Sequence, residues 1–253
     1  MAAPLFGIAL LTGAAAEETG GATACRRLTF EGKRYVACSV DVARFEIEVT
    51  WRGEGGKPFG TIGDYLQKMK SPDRARLAFV MNGGMYEPDL SPVGLLIERG
   101  RQQAPVNVSP GAGNFYWKPN GVFFAGEGRV GILDTALYLK EKPKTEYATQ
   151  SGPMLLIKGA IDRRVLATIS SKNIRNGVGV QDDRIAIFAV SEERVSFSDF
   201  ARMFRDALSC RDALYLDGSI SQLYAPSIGR TDQTGTVGPI ISVFDRAARP
   251  PAR

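Results

Sequence analysis

Histidine is absent from all 253 residues. That one absence removes the Ser-His-Asp triad, Cys-His nucleophiles, His-ligated zinc, two-His iron sites and imidazole acid–base work. Any catalysis has to run on carboxylates, Arg, Lys, Tyr, Ser, Asn and backbone amides. There is no stretch of eighteen consecutive apolar residues, so no transmembrane helix is predicted. There is no block of five or six like charges either. The net charge of +5 comes from 32 basic and 27 acidic residues dispersed along the chain, which suits small anions better than nucleic acid, and no nucleic-acid partner is expected. With 44% hydrophobic and 23% charged residues, disordered, collagenous and coiled-coil readings are excluded.

Met1 to Ala16 carries no charged side chain, an apolar run centred on Leu5–Leu11 and small residues Ala14-Ala15-Ala16 before Glu17-Glu18. The pattern predicts a signal peptide over 1–16 and an exported, periplasmic or extracellular chain. Cysteine is scarce, at three, which allows one disulfide and one spare thiol. If Glu31-Gly32 is a two-residue hairpin turn, Phe30 faces Lys33 and Cys25 faces Cys38 in the closer class of antiparallel pair, where a bridge forms. A three-residue loop with a bulge at Gly32 would break that register.

Residues 44–51 alternate, with Phe45, Ile47, Val49 and Trp51 on one face, which predicts a half-buried antiparallel strand. A helix is expected after Thr61, with Asp64 at the box position and Ile62, Tyr65, Leu66 and Met69 buried. A second starts at Ser196 with Asp199 at the box position and an apolar stripe of Phe197, Phe200, Phe204 and Leu208. Further strands are predicted at Leu77–Met81, Val93–Ile97, Val122–Phe124, Val130–Leu133, Met154–Ile157, Val178–Val180, Ile185–Val190, Leu214–Leu216 and Ile240–Phe244. Strands outnumber helices, so the fold class is α+β: one domain over 17–253, core about 25–244, with mixed, mainly antiparallel sheets and a few helices.

Gly126-Glu127-Gly128-Arg129-Val130-Gly131 matches G-x-G-x-x-G, but strands flank it and no helix start follows, so it is a hairpin turn and no dinucleotide site. Four other polar, glycine-bearing stretches abut apolar strands: 82–86, 149–153, 175–179 and 217–221. Adjacent glycines let a backbone approach a ligand and aim N–H groups at an anion, and strand ends give such groups a rigid seat.

The ordered series Asn82-Gly-Gly-Met-Tyr86, Pro92-Val-Gly-Leu95, Gly113-Asn-Phe115, Lys118-Pro-Asn-Gly-Val-Phe123, Ser151-Gly-Pro153, Arg175-Asn-Gly-Val-Gly179 and Leu216-Asp-Gly-Ser-Ile-Ser221 resembles the phosphodiester glycosidase family, in its compact bacterial branch. Two positions depart from the animal pattern: Asp217-Gly-Ser-Ile-Ser stands in place of a run of glycines before the serine, and Asn176 follows the arginine where small or hydroxyl residues are usual. The resemblance implies hydrolysis of a sugar-1-phosphodiester, small-molecule or glycan, at the anomeric C–O bond. An ordinary glycosidase must protonate an alkoxide leaving group. A phosphate monoester leaves as a stabilised anion, so anion binding replaces part of that acid's work and the missing histidine is tolerated.

The resemblance makes Arg175 the expected phosphate anchor, its planar fork meeting two oxygens, with Lys118 a weaker second. Asp217 is the expected carboxylate at the anomeric side. Asn82, Ser151, Ser219 and Ser221 would supply hydrogen bonds and Tyr86 a wall; Gly83, Gly84, Asn120, Gly152, Asn176 and Gly218 complete the expected substrate contacts. Rival roles are a turn-forming or cation-ligating Asp217, and an Arg175 paired with Asp182 or Asp183. No cofactor is expected, although a structural divalent cation would fit. Two alternatives stand beside the hydrolase: a non-catalytic envelope module binding glycans or sugar phosphates, and a phosphodiesterase cutting the P–O bond.

Overall fold

The structure, a computed structural model, describes residues 24–217 and 220–248. The expected leader at 1–16, Gly218 and Ser219 lie outside the described residues. In chain order the strands are β1 (Cys25–Phe30), β2 (Lys33–Asp41), β3 (Phe45–Thr50), β4 (Leu77–Asn82), β5 (Leu96–Glu98), β6 (Arg101–Ala104), β7 (Gly121–Gly126), β8 (Arg129–Asp134), β9 (Tyr147–Ser151), β10 (Met154–Leu156), β11 (Asn176–Val180), β12 (Ile185–Ser191), β13 (Asp212–Asp217), β14 (Leu223–Ala225), β15 (Arg230–Thr231) and β16 (Ile240–Asp245). The helices are α1 (Ile62–Lys68), α2 (Ser71–Arg76), α3 (Thr135–Glu141), α4 (Arg163–Ala167) and α5 (Phe197–Arg202).

Glu31 and Gly32 take φ of 47° and 72°, the paired left-handed conformations of a turn whose twist matches the strands it joins. The register follows: Phe30 faces Lys33 and Cys25 faces Cys38. The two sulfurs are bonded, and Cys210 is free and buried. Glu127 and Gly128 form the same turn between β7 and β8, so the dinucleotide-like string is the hairpin expected of it. The helix starts are also as expected. Thr61 accepts from Asp64 N–H, and Ser196 and Asp199 close a full capping box. α5 continues through a π turn at Met203–Ala207, which carries the stripe on to Phe204 and Leu208, both buried.

Three sheets result, with strand orders β1-β2-β12-β11-β13-β10, β15-β14-β4-β16-β3 and β6-β5-β9-β7-β8. Every described pairing is antiparallel. One aromatic from each sheet meets at the centre: the Phe188 ring lies 5.6 Å from Phe79 and 5.5 Å from Phe123. α5 covers the other face of the six-stranded sheet, where Phe200 meets Tyr35 and Phe197 meets Tyr215. Covered on both sides, β12 is buried almost throughout, and its sequence is a continuous apolar run without alternation. Among the described residues no helix is long and apolar enough to cross a membrane.

Two local differences from expectation have physical causes. Strand β5 begins at Leu96 and not at Val93, because Val93 and Gly94 are used by other neighbours. Val93 O accepts from Asn107 Nδ2, and a Cβ on Gly94 would sit 2.6 Å from Phe115. α3 was not anticipated; Asp134 caps it by accepting from Leu137 N–H.

Candidate functional site

Strands β4, β11 and β13 bring their ends to one place. Asn176 opens β11 opposite Asp217, the last residue of β13, but the next pair is Gly177 with Tyr215. Leu216 is therefore the extra residue of a β-bulge, a device that bends a strand and re-aims a side chain. The bulge turns Asp217, only 6% exposed, toward Asn82 at the end of β4. Its backbone N–H donates to Asn176 Oδ1 at 2.8 Å. Asn176 Nδ2 donates to both Asn82 O (2.9 Å) and Asn82 Oδ1 (2.8 Å). Asn82 Oδ1 also accepts from Gln222 N–H at 2.9 Å, and Asn82 Nδ2 donates to Ile220 O and points at Asp217 Oδ2 from 3.5 Å. Ser221 Oγ donates to Asp217 O at 3.4 Å.

Two phenols face this carboxylate. Burial first, and then the Asp217 charge, pushes the Tyr86 hydroxyl above its ordinary pKa. Tyr215 is raised chiefly by burial, with Asp217 adding to it and Arg175 opposing. Tyr86 is held in place by donating to Thr236 O at 3.1 Å and by packing on Gly238, where a Cβ would sit 2.4 Å from its own.

Arg175 lies on the far side of Tyr215. It is fully buried, at 0% exposure. Its Nε donates to Val195 O at 2.9 Å and its Nη2 to Ser171 O at 2.8 Å. The guanidinium carbon stands 3.6 Å from the Phe197 ring centroid and 5.4 Å from that of Tyr215. Among the described residues no carboxylate forms an ion pair with it, and its Nη1 has no directed hydrogen bond. The rival partners are taken: Asp183 pairs with Arg129 at 2.7 Å, and Asp182 accepts from Arg184 and Ile185 N–H. Burial lowers the guanidinium's pKa, while Tyr215 and the Asp199 charge work to raise it. Met85 and Trp117, both half-buried, pack against the cluster that holds Phe197 and Tyr215.

The other expected residues divide into two groups. Asn82, Tyr86, Asn176, Asp217 and Ser221 meet as described. Gly218 and Ser219 lie outside the described residues, and the others make contacts within the surrounding framework. Ser151 Oγ donates to Leu216 O at 2.7 Å, beneath the bulge. Asn120 Nδ2 donates to Phe115 O, and its Oδ1 accepts from Thr135 Oγ1 and from exposed Lys118 Nζ at 3.1 Å. Burial lowers the Lys118 pKa. Gly83, Gly84 and Gly152 are places of close protein packing, where a Cβ would come within 2.6 Å of Ile241, 2.8 Å of Thr149 Oγ1 and 2.7 Å of Asn120 Cβ. Tyr215, which links the Arg175 and Asp217 halves, was missed from the sequence. Its signal was a lone aromatic in the aliphatic strand just before Asp217. Among the described residues no group of three or more Cys, Asp and Glu is placed to hold a metal ion.

A cleft of about 800 Å³ lies elsewhere, between the outward face of β3, the α1–α2 corner and the β5–β6 turn. Its charges answer one another. Arg76 holds Glu46 at 2.8 Å, Arg99 stands 3.9 Å from Glu48, and Thr50 donates to Glu98.

A family model described as phosphodiester glycosidase matches residues 75–244. The Escherichia coli (strain K12) protein YigE, itself uncharacterised, is 36% identical over 188 residues, covering 74% of this chain and 73% of that one. Among solved structures, the catalytic domain of zebrafish N-acetylglucosamine-1-phosphodiester alpha-N-acetylglucosaminidase, auto-inhibited by its pro-peptide, superposes with a TM-score of 0.56. It is 14% identical, over 88% of this chain and 82% of that one. A hypothetical protein from Synechocystis gives 0.54 at 13% identity, over 88% and 61%. At such identities these structures are evidence of a shared fold.

Proposed function

The chain belongs to the phosphodiester glycosidase family, and on that premise we propose that it hydrolyses a sugar-1-phosphodiester at the glycosidic C–O bond. Water adds its oxygen to the anomeric carbon, the C–O bond breaks, and its electron pair leaves on a phosphate monoester. Asp217 receives the proton of the attacking water or balances the positive charge that builds on the sugar. Arg175 meets the negative charge that builds on the departing phosphate. The chemistry so written uses no cofactor.

The observation that carries this reading is the buried Arg175, which has no counter-ion among the described residues. A buried unpaired cation costs several kcal/mol, and an arriving phosphate offsets that cost while filling the guanidinium's vacant donor. The aromatic faces of Phe197 and Tyr215 hold the cation in the meantime. Turnover of an aryl or sugar-1-phosphodiester in oxygen-18 water tests the proposal. Label in the sugar is the expected result. Label in the phosphate would mean P–O cleavage, and binding without product would mean a sugar-phosphate binding module.

Export fits the same reading. The apolar run before Glu17 and the Cys25–Cys38 bond both suit an oxidising compartment. Mass spectrometry of the mature chain should place its start near Glu17, and an intact Met1 in the cytoplasmic fraction would overturn export.

A further inference from the structure

We infer that Asn176 is a positioning residue that aims Asp217 through Asn82 and makes no contact with substrate; this rests on the role given to Asp217 above. The bulge at Leu216 is the reason such a residue is needed. It shifts the register just where β13 ends, leaving Asp217 opposite Asn176, and the Asn176 side chain takes up the Asp217 N–H by accepting from it at 2.8 Å. Both hydrogens of Asn176 Nδ2 are then committed, one to Asn82 O and one to Asn82 Oδ1. With 0% exposure and every polar atom in use, the side chain has nothing left to offer a ligand.

The orientation of both amides follows from backbone groups that can only donate or only accept. Asp217 N–H donates, so the atom it meets on Asn176 is the oxygen, and the nitrogen must face Asn82. Gln222 N–H donates, so the atom it meets on Asn82 is again the oxygen. Asn82 Nδ2 is thereby turned to Ile220 O and to Asp217 Oδ2. Flipping Asn176 would break its bonds to Asp217 N–H and Asn82 O, and flipping Asn82 would break its bonds to Gln222 N–H and Ile220 O. The Asn82 amide nitrogen is thereby kept 3.5 Å from Asp217 Oδ2, and a donor on that side is one that a charged carboxylate uses better than a neutral one. The Tyr86 and Tyr215 hydroxyls also lie in its surroundings, with Arg175 beyond Tyr215. A serine or alanine at 176 would be too short to reach Asp217 N–H and Asn82 together.

The experiment compares Asn176→Ala, Asn82→Ala and the double variant, with Asn176→Ser and Asn176→Asp as smaller changes in case the alanines do not fold. For Asn176→Ala kcat should fall about a hundredfold, the order expected of a misplaced catalytic group, with KM within about threefold of wild type, an analogous ground-state bound being kept. The acid limb of the kcat profile should move to higher pH, and the double variant should lose little more than Asn82→Ala alone. A raised KM with an unmoved acid limb and additive losses would mean a substrate contact and would overturn the inference. A second readout does not depend on turnover: the Asp217 carboxyl carbon, followed by NMR, should titrate at higher pH in Asn176→Ser than in wild type. An unchanged titration overturns the inference. Wild type that turns over no sugar phosphodiester overturns the proposed function, and the NMR comparison still decides the role of Asn176.

Discussion

The protein has two groups of charged side chains, and the one that lines the open cleft is the less informative. The cleft beside β3 holds five carboxylates (Glu46, Glu48, Glu54, Asp73, Glu98) and five cations (Arg52, Lys68, Lys70, Arg76, Arg99). Several are held by a neighbour, and the arrangement is electrically complete. The cluster at the ends of β4, β11 and β13 has far fewer charges, but they are separated. Asp217 is tied to asparagines and Arg175 is caged by aromatic rings, with Tyr215 between them. A buried guanidinium seated on aromatic faces, with no carboxylate bound to it among the described residues, is the better mark of a site than a set of surface ion pairs.

The sharpest way to break this comparison is Asp217→Asn. It keeps shape and removes charge, so kcat should fall by several orders of magnitude with the melting temperature nearly unchanged. A lower melting temperature at normal turnover would make Asp217 a turn residue. Next in size is Arg175→Met, which replaces a buried cation by a shorter, unbranched apolar chain. kcat/KM should fall about a hundred- to a thousandfold, while thermal stability holds or rises, since the buried charge is relieved. A sharp loss of stability in calorimetry would place Arg175 among structural cations. The same tests in the large cleft should reverse the pattern.

Glu48 is raised above its ordinary pKa of 4.5 chiefly by burial, with Arg99 opposing. The folded state therefore holds that proton more tightly than the unfolded chain, and stability is lost as pH rises from 4.5 toward the raised value. Glu48→Gln should leave turnover unchanged. Its melting temperature should gain on wild type through that window and keep a constant lead above it; a lead that is the same at pH 3 and pH 7 would count against the burial argument. The smallest effect is expected of Arg99→Ala. Arg99 is 72% exposed and 3.9 Å from Glu48, so its removal should cost well under about 1 kcal/mol in a denaturant titration.

Local devices were legible in the sequence: the hairpin register that joins Cys25 to Cys38, the caps at Thr61 and Ser196, and the apolar run of β12. What escaped was burial of polar side chains. β9 reads Tyr-Ala-Thr-Gln-Ser yet is buried throughout. Gln150 satisfies itself on Leu95 N–H, both backbone groups of Asn107, and Thr135. No alternation of apolar residues announces such a strand. The site was half legible for the same reason. Its residue types and strand-end positions were visible, and Asn82, Asn176 and Asp217 were all named. That they bind one another, and that Gly83 and Gly84 make room for Ile241 and Thr149, follows from which strands become neighbours, and this depends on contacts far apart in the chain.

The cystine has a mechanical meaning as well. A pull applied to the chain ahead of Cys25 enters β1 at its first residue and passes at once through the sulfurs to Cys38, which faces Phe188 of β12. The tension never travels through residues 26–37, so the edge strand cannot be peeled away like a zip from its open end. In a single-molecule extension experiment the oxidised protein should show a contour length shorter by that bypassed segment, and reduction should restore it.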